Sequence, residues 1–215
     1  MIITLYLKPV YMFQIISIIS FLAVIAFVVY RDKGSFLQSK ASDTVRDLLD
    51  AVGIVTENLT DDWRRLILFL LRVSFAALLI TGFIPVLIGS AVSGFVLILH
   101  LLAAAVFAIG LMTISLLQAH QQRFNGSDWQ SLRHLIEKKS VTKKLQAQIL
   151  VLANKITFWL ILLLALPLLG SILLSMYPLF GTDGQRVLLL WHGYSALLLF
   201  IVVVVRLYLI KSGDR

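Results

Sequence analysis

Four histidines, His100, His120, His134 and His192, are the residues best equipped for chemistry in this chain of 215 residues, which has no cysteine. Without thiols there is no disulfide, no cysteine-ligated iron–sulfur cluster and no cysteine nucleophile. A metal or cofactor would therefore rest on imidazoles, methionines or carboxylates. His100 and His192 fall inside long apolar segments, as do Arg72 and Arg206. Ionisable groups at membrane depth are costly, so each needs a reason. Two imidazoles on different helices at similar depth have the chemistry to clamp a haem iron from both faces. Ala103 and Ala104 follow His100 by one turn, and Gly193 and Ala196 lie beside and one turn beyond His192. Such small residues leave room for a macrocycle, although they also serve plain helix packing, and the bulkier Val96 stands one turn before His100. The bland alternative for either histidine is a hydrogen bond to a neighbouring helix.

Arg206 follows His192 by 14 residues, about −40° of rotation and about 21 Å of rise, so the two share a helix face in opposite leaflets. Arg72 and Arg206 are expected at similar depth near the other membrane face. Snorkelling to lipid phosphate is the plain reading. The sharper ones are a pocket for haem propionates, an anionic lipid or a quinone carbonyl. His120 is turned about 200° from His100 and His134 lies in a polar loop, so neither is expected to be a ligand. Asn58-Leu59-Thr60 matches a glycosylation acceptor on a loop expected to face the cytoplasm, and is discounted. The sequence has no Gly-rich phosphate loop, paired-carboxylate site or Ser/His/Asp set, and no catalytic residue is assigned.

The elements that must position these residues follow from composition. Hydrophobic residues make up 60% of the chain and charged ones 14%, against about 25% charged in soluble domains. Mean hydropathy is +0.95. Stretches 9–30, 73–122, 156–182 and 187–205 lack Asp, Glu, Lys and Arg. Each can hold one membrane helix of about 20 residues, and the second can hold two. The expected fold is an all-α integral membrane bundle of five transmembrane helices: about Val10–Tyr30, Arg64–Ile88, Ala91–Leu117, Ile156–Tyr177 and Val187–Ile210. The turn 178–186 joins the last two. Loop 31–63 carries Val45, Leu48, Leu49 and Val52 behind Ser42 and before Gly53, the pattern of a short amphipathic surface helix. A second one, capped by Ser127, runs through Trp129, Leu132, Leu135 and Ile136. Residues 31–65 hold six Lys/Arg and residues 118–155 hold seven, whereas the short turns hold none and one. The positive-inside rule then puts both long loops and the tail 211–215 in the cytoplasm and the N-terminus outside. The net charge of +8 is thereby assigned to loops at an anionic leaflet, and nucleic acid is not an expected partner.

Three stretches give a resemblance. Ile80-Thr81-Gly82 precedes His100 on the next span. Phe158-Trp159-Leu160 runs on through Leu168-Leu169-Gly170 to Pro178-Leu179-Phe180-Gly181. His192-Gly193-Tyr194-Ser195-Ala196 is followed by Arg206-Leu207-Tyr208. Over residues 64–210 the chain resembles the cytochrome b (gamma) subunit of membrane-bound formate dehydrogenases and its relatives in nickel–iron hydrogenases. In that family four histidines hold two b haems. The resemblance implies that His100 and His192 form the outer axial pair, with Ala104 and Gly193 packing on the haem. The inner pair would fall at Arg206 and near Leu68, where there is no histidine, so one haem b is implied. Arg72 and Arg206 are then candidates for a quinone, lipid or propionate site.

The implied function is a membrane electron-transfer subunit of an oxidoreductase complex in the inner (cytoplasmic) membrane. It would relay electrons between an outer-side redox partner, of iron–sulfur or cytochrome c type, and menaquinone, ubiquinone or another redox subunit. The alternative is a haem-free membrane anchor for a larger complex. Residues 1–30 look like an added helix outside a four-helix core of residues 64–210.

Overall fold

The computed structural model describes residues 2–31, 62–136 and 143–213. Six α-helices lie in these segments: α1 (Ile2–Arg31), α2 (Asp62–Leu87), α3 (Gly94–Gln118), α4 (Gly126–Ile136), α5 (Lys143–Ser175) and α6 (Gly181–Gly213), with one 3₁₀ turn, Pro178–Phe180. No strand occurs among the described residues. The expected amphipathic helix in loop 31–63 lies outside them, as do Asn58-Leu59-Thr60 and the last two residues of the tail.

Four segments are long and apolar enough to cross a membrane: Trp63–Leu87, Gly94–Gln118, Ala147–Ser175 and Gly181–Leu209. No more than 28% of the apolar window of any of them is buried inside the protein. Leu116, Leu163 and Leu166 are among the large side chains left outward, each more than 60% exposed. Apolar helices with apolar outer faces need a lipid solvent, and the protein is membrane-embedded on that basis. The polar residues of these helices fit the same medium. Ser74, Thr113 and Ser175 each donate a hydroxyl to a carbonyl of the preceding turn, at 3.0, 2.8 and 2.7 Å. A hydroxyl satisfied within its own helix costs little in hydrocarbon.

The chain forms two compact units, Met1–Leu117 and Gln118–Arg215. In the first, α1 packs on the end of α2: Gln14 donates to the Leu87 carbonyl at 3.1 Å, and the Phe21 and Phe83 rings meet edge to face at 5.1 Å. Helices α2 and α3 run antiparallel. Phe75 stacks on Phe107, with ring centroids 5.7 Å apart. Gly110 faces Leu71 so closely that an added Cβ would sit 3.3 Å from the leucine Cδ1. Ala103, Phe107, Gly110 and Ile114 are the buried residues of α3. Their alternating three- and four-residue steps, beginning from His100, describe one seam along the helix.

In the second unit α5 and α6 form an antiparallel pair. Phe158, Ala165 and Leu168 of α5 and Ser195, Leu197 and Leu199 of α6 are buried. Helix α4 and the turn before it are fastened to α5 by one polar contact each. Lys155 Nζ lies 2.7 Å from Asp128 Oδ2, and Trp159 Nε1 donates to the Gln122 carbonyl at 2.9 Å.

Helix α1 starts at Ile2, eight residues before the expected Val10, and other helix starts also depart from expectation. Helix α3 starts at Gly94 rather than Ala91, because Gly89 and Gly94 both adopt positive φ (+71° and +57°) and prolong the turn. Helix α5 starts at Lys143, thirteen residues before the expected Ile156. Its polar first turns are helical but lie ahead of the charge-free window. Helix α6 starts at Gly181, so the connection expected at 178–186 shrinks to the 3₁₀ turn and its flanks. The cap of α4 also moves. Asn125, not Ser127, precedes the helix, and its N–H donates to Asp128 Oδ2 at 2.7 Å, a capping box in which an aspartate takes the usual glutamate position.

Candidate functional site

His100 sits six residues into α3, half-buried, at the head of the seam that packs on α2. Its Nδ1 lies 2.8 Å from Thr81 Oγ1. The Thr81 hydroxyl is itself a donor to the Ala77 carbonyl, at 2.7 Å. A hydroxyl has one proton, so Thr81 accepts from His100 Nδ1–H. A neutral ring with this proton would offer Nε2 as its ligating nitrogen. Gly82 completes the setting, since a Cβ there would stand 3.2 Å from His100 Cε1. Only glycine lets α2 carry Thr81 this close to the ring without the ring giving way.

His192 repeats the arrangement with different parts. It lies eleven residues into α6, half-buried, with Nδ1 2.9 Å from the Leu168 carbonyl of α5. A carbonyl can only accept, so Nδ1 carries a proton and donates it. The same carbonyl accepts the Ser171 hydroxyl at 3.1 Å. Of the small residues expected beside the histidines, Ala103 is buried, while Ala104 and Gly193 are partly exposed. His100 belongs to the first unit and His192 to the second.

Arg206 lies on the same helix as His192 and also bonds to a backbone carbonyl of α5. Its Nη1 donates to the Asn154 carbonyl at 2.6 Å and to Thr157 Oγ1 at 3.4 Å. Both partner pairs on α6 and α5 are separated by 14 residues, which fixes the register of this antiparallel pair at two points about 21 Å apart. The guanidinium also stands 5.6 Å from the centroid of the Phe158 ring, within reach of a cation–π attraction. Arg72 is half-buried in α2, and among the described residues no carboxylate pairs with it. His120 is exposed in the turn after α3. His134 lies on α4, and its side chain is outside what is described.

At the α4–α5 junction the Asp128–Lys155 pair is buried on both sides, with side chains 6% and 10% exposed. Burial opposes ionisation of the Asp128 carboxyl. The Lys155 hydrogen bond, the Asn125 N–H and the Lys155 charge together outweigh it and hold the group below the usual carboxylate range.

The chain matches no family model, no curated protein and no solved structure. Its chemistry is therefore read from its own residues. Among the described residues no three His, Cys, Asp or Glu converge on a common point. Each imidazole by itself is of the type that ligates haem iron. Iron-ligating histidines characteristically donate their other ring N–H to a carbonyl or similar oxygen, which fixes tautomer and ring orientation and raises ligand basicity. His100 and His192 each do so. Thr81 and the Leu168 carbonyl are the positioning groups that sequence reading missed. Thr81 was legible in principle as a hydroxyl on the α2 seam facing the span that carries His100. A backbone carbonyl leaves no mark in a sequence.

Proposed function

We propose that the protein is the membrane subunit of an electron-transfer complex, with His100 and His192 furnishing axial imidazoles to one haem b. The observation that carries this reading is the shared setting of the two histidines: each is held through Nδ1 by an oxygen of the adjacent helix, so that Nε2 is the nitrogen that would ligate iron. Haem bound in this way supplies a one-electron carrier within the membrane. The chain's part is ligation, orientation and exclusion of water. Thr81 and Leu168 hold the rings in place, Gly82 admits the close approach of α2, and the apolar spans keep the surroundings dry.

The finer topology belongs to the same proposal. Helix α1, whose described apolar part is Tyr11–Val24, is the fifth span, added to a four-helix core formed by α2, α3, α5 and α6. The N-terminus faces out and the basic loops face the cytoplasm, in the inner membrane. The outer-side partner is an iron–sulfur or cytochrome c type subunit, and the other exchange partner is a quinone or a further redox subunit.

The test is a dithionite-reduced minus oxidised visible spectrum of the purified protein. The proposal expects a b-type spectrum that is lost in both His100→Ala and His192→Ala. A spectrum unchanged in both variants overturns it. A correctly assembled but colourless complex leaves the haem-free anchor in its place.

A further inference from the structure

Arg206 is a charged residue near the end of an apolar helix, and its surroundings do not neutralise it. Three residues further on, Leu209 ends the membrane-spanning segment, about 4.5 Å along the axis. Val205 and Leu207 on either side are 41% and 54% exposed, and Arg206 between them is half-buried. Its Nη1 is committed to Asn154 and Thr157. The Thr157 hydroxyl donates to the Ala153 carbonyl at 2.9 Å and the Asn154 carbonyl at 3.0 Å, and so receives Arg206 as an acceptor. The Phe158 ring stands beside the cation. No carboxylate among the described residues pairs with Arg206. The neighbouring cation, Lys155, already has Asp128 at 2.7 Å.

A guanidinium has five N–H donors in a rigid fork. Here one nitrogen is tethered to α5, which orders the group before any ligand arrives, and the donors on Nη2 and Nε have no acceptor among the described residues. A tethered fork that lacks a counter-ion suits the two oxygens of a phosphate. Its depth, at the last turns of an apolar span and beside Tyr208, is where lipid headgroups reach.

We infer that Arg206, held by Asn154 and Thr157 against Phe158, binds the phosphate of an anionic phospholipid headgroup. The site requires no haem. The test uses the full chain in neutral detergent, delipidated and titrated with short-chain phosphatidylglycerol, diacylglycerol of the same chain length, and inorganic phosphate, with bound lipid read by native mass spectrometry. The wild-type chain is expected to take phosphatidylglycerol about tenfold more tightly than diacylglycerol, which lacks the phosphate, the margin appropriate to one charge-assisted forked contact. Arg206→Gln is expected to remove that margin. If this variant does not fold, Arg206→Lys decides. A point-charge ammonium cannot form the fork, and the margin should fall to about threefold. An undiminished margin in the variant that folds overturns the inference. Displacement of the lipid by inorganic phosphate at equal concentration also overturns it, by assigning the arginine to a free anion. Haem content measured on the same samples reports on the redox proposal separately, since coloured and colourless preparations should show the same lipid preference.

Discussion

His100 and His192 are held by different groups in the same way, and that likeness makes the imidazoles more informative than their positions alone. Thr81→Val removes the acceptor of His100 Nδ1–H while keeping shape. The orphaned N–H should cost about 1–3 kcal/mol of stability, read as a lower melting temperature in detergent. The ring should also lose orientation and basicity, so haem retention is expected to fall about 10–100-fold in a titration with haem, and Thr81→Ser should restore most of it. Retention equal to wild type in Thr81→Val would remove Thr81 from the site. A second residue-scale prediction concerns Asp128. Its carboxyl is held low in the folded protein, so its contribution to stability is complete above the unfolded value, about 3.9. That contribution is lost as pH falls from there through the folded value. Melting temperature followed from pH 7 to pH 3 should show this loss in the wild type. Asp128→Ala should lack it and be less stable by about 3 kcal/mol at pH 7, because Lys155 is left buried without its partner.

Helices announce themselves by apolar content, and their ends by chemistry that is easier to miss. The four long apolar helices, and α4 with its alternating Trp129 and Leu132, were legible because hydrocarbon-facing runs and a 3.6-residue pattern are strong signals. The start of α3 was not, because Gly94 marks it through its dihedral rather than through hydropathy. The start of α5 was hidden because its polar turns are helical outside the charge-free window. Pairwise packing was beyond the sequence. Nothing in the spacing reveals that Gly110 of α3 meets Leu71 of α2, whereas the structure makes the glycine the point of close approach. Gly110→Leu should therefore force α2 and α3 apart and cost about 1–3 kcal/mol through overpacking. Gly126→Leu, where an added Cβ meets nothing within 4 Å, should change the melting temperature far less. Equal effects of the two substitutions would contradict the proposed seam.

A membrane-embedded helical protein is what composition and structure agree upon, and its orientation rests on the basic loops. The absence of cysteine makes that orientation directly measurable. Ser90, in the turn between α2 and α3, and Ser127, in the first turn of α4, are both exposed. If the proposed topology holds, a membrane-impermeant maleimide should label Ser90→Cys in intact cells and spare Ser127→Cys until the cytoplasmic face is opened. The reverse pattern would invert the topology and put the two histidines near the cytoplasmic leaflet. The two histidines proposed as ligands stood out in the sequence, since ionisable residues in lipid are conspicuous. Their hydrogen bonds did not, because these depend on Thr81, Ala77 and a carbonyl of Leu168. The central claim is that both imidazoles meet iron through Nε2. The most direct measurement is low-temperature electron paramagnetic resonance of the oxidised protein at known haem content per chain. The account predicts one low-spin, six-coordinate ferric haem with two nitrogen axial ligands, converted to a different spin state or lost in His100→Ala and in His192→Ala. A wild-type protein without haem, or one whose low-spin signal survives both substitutions, would contradict it.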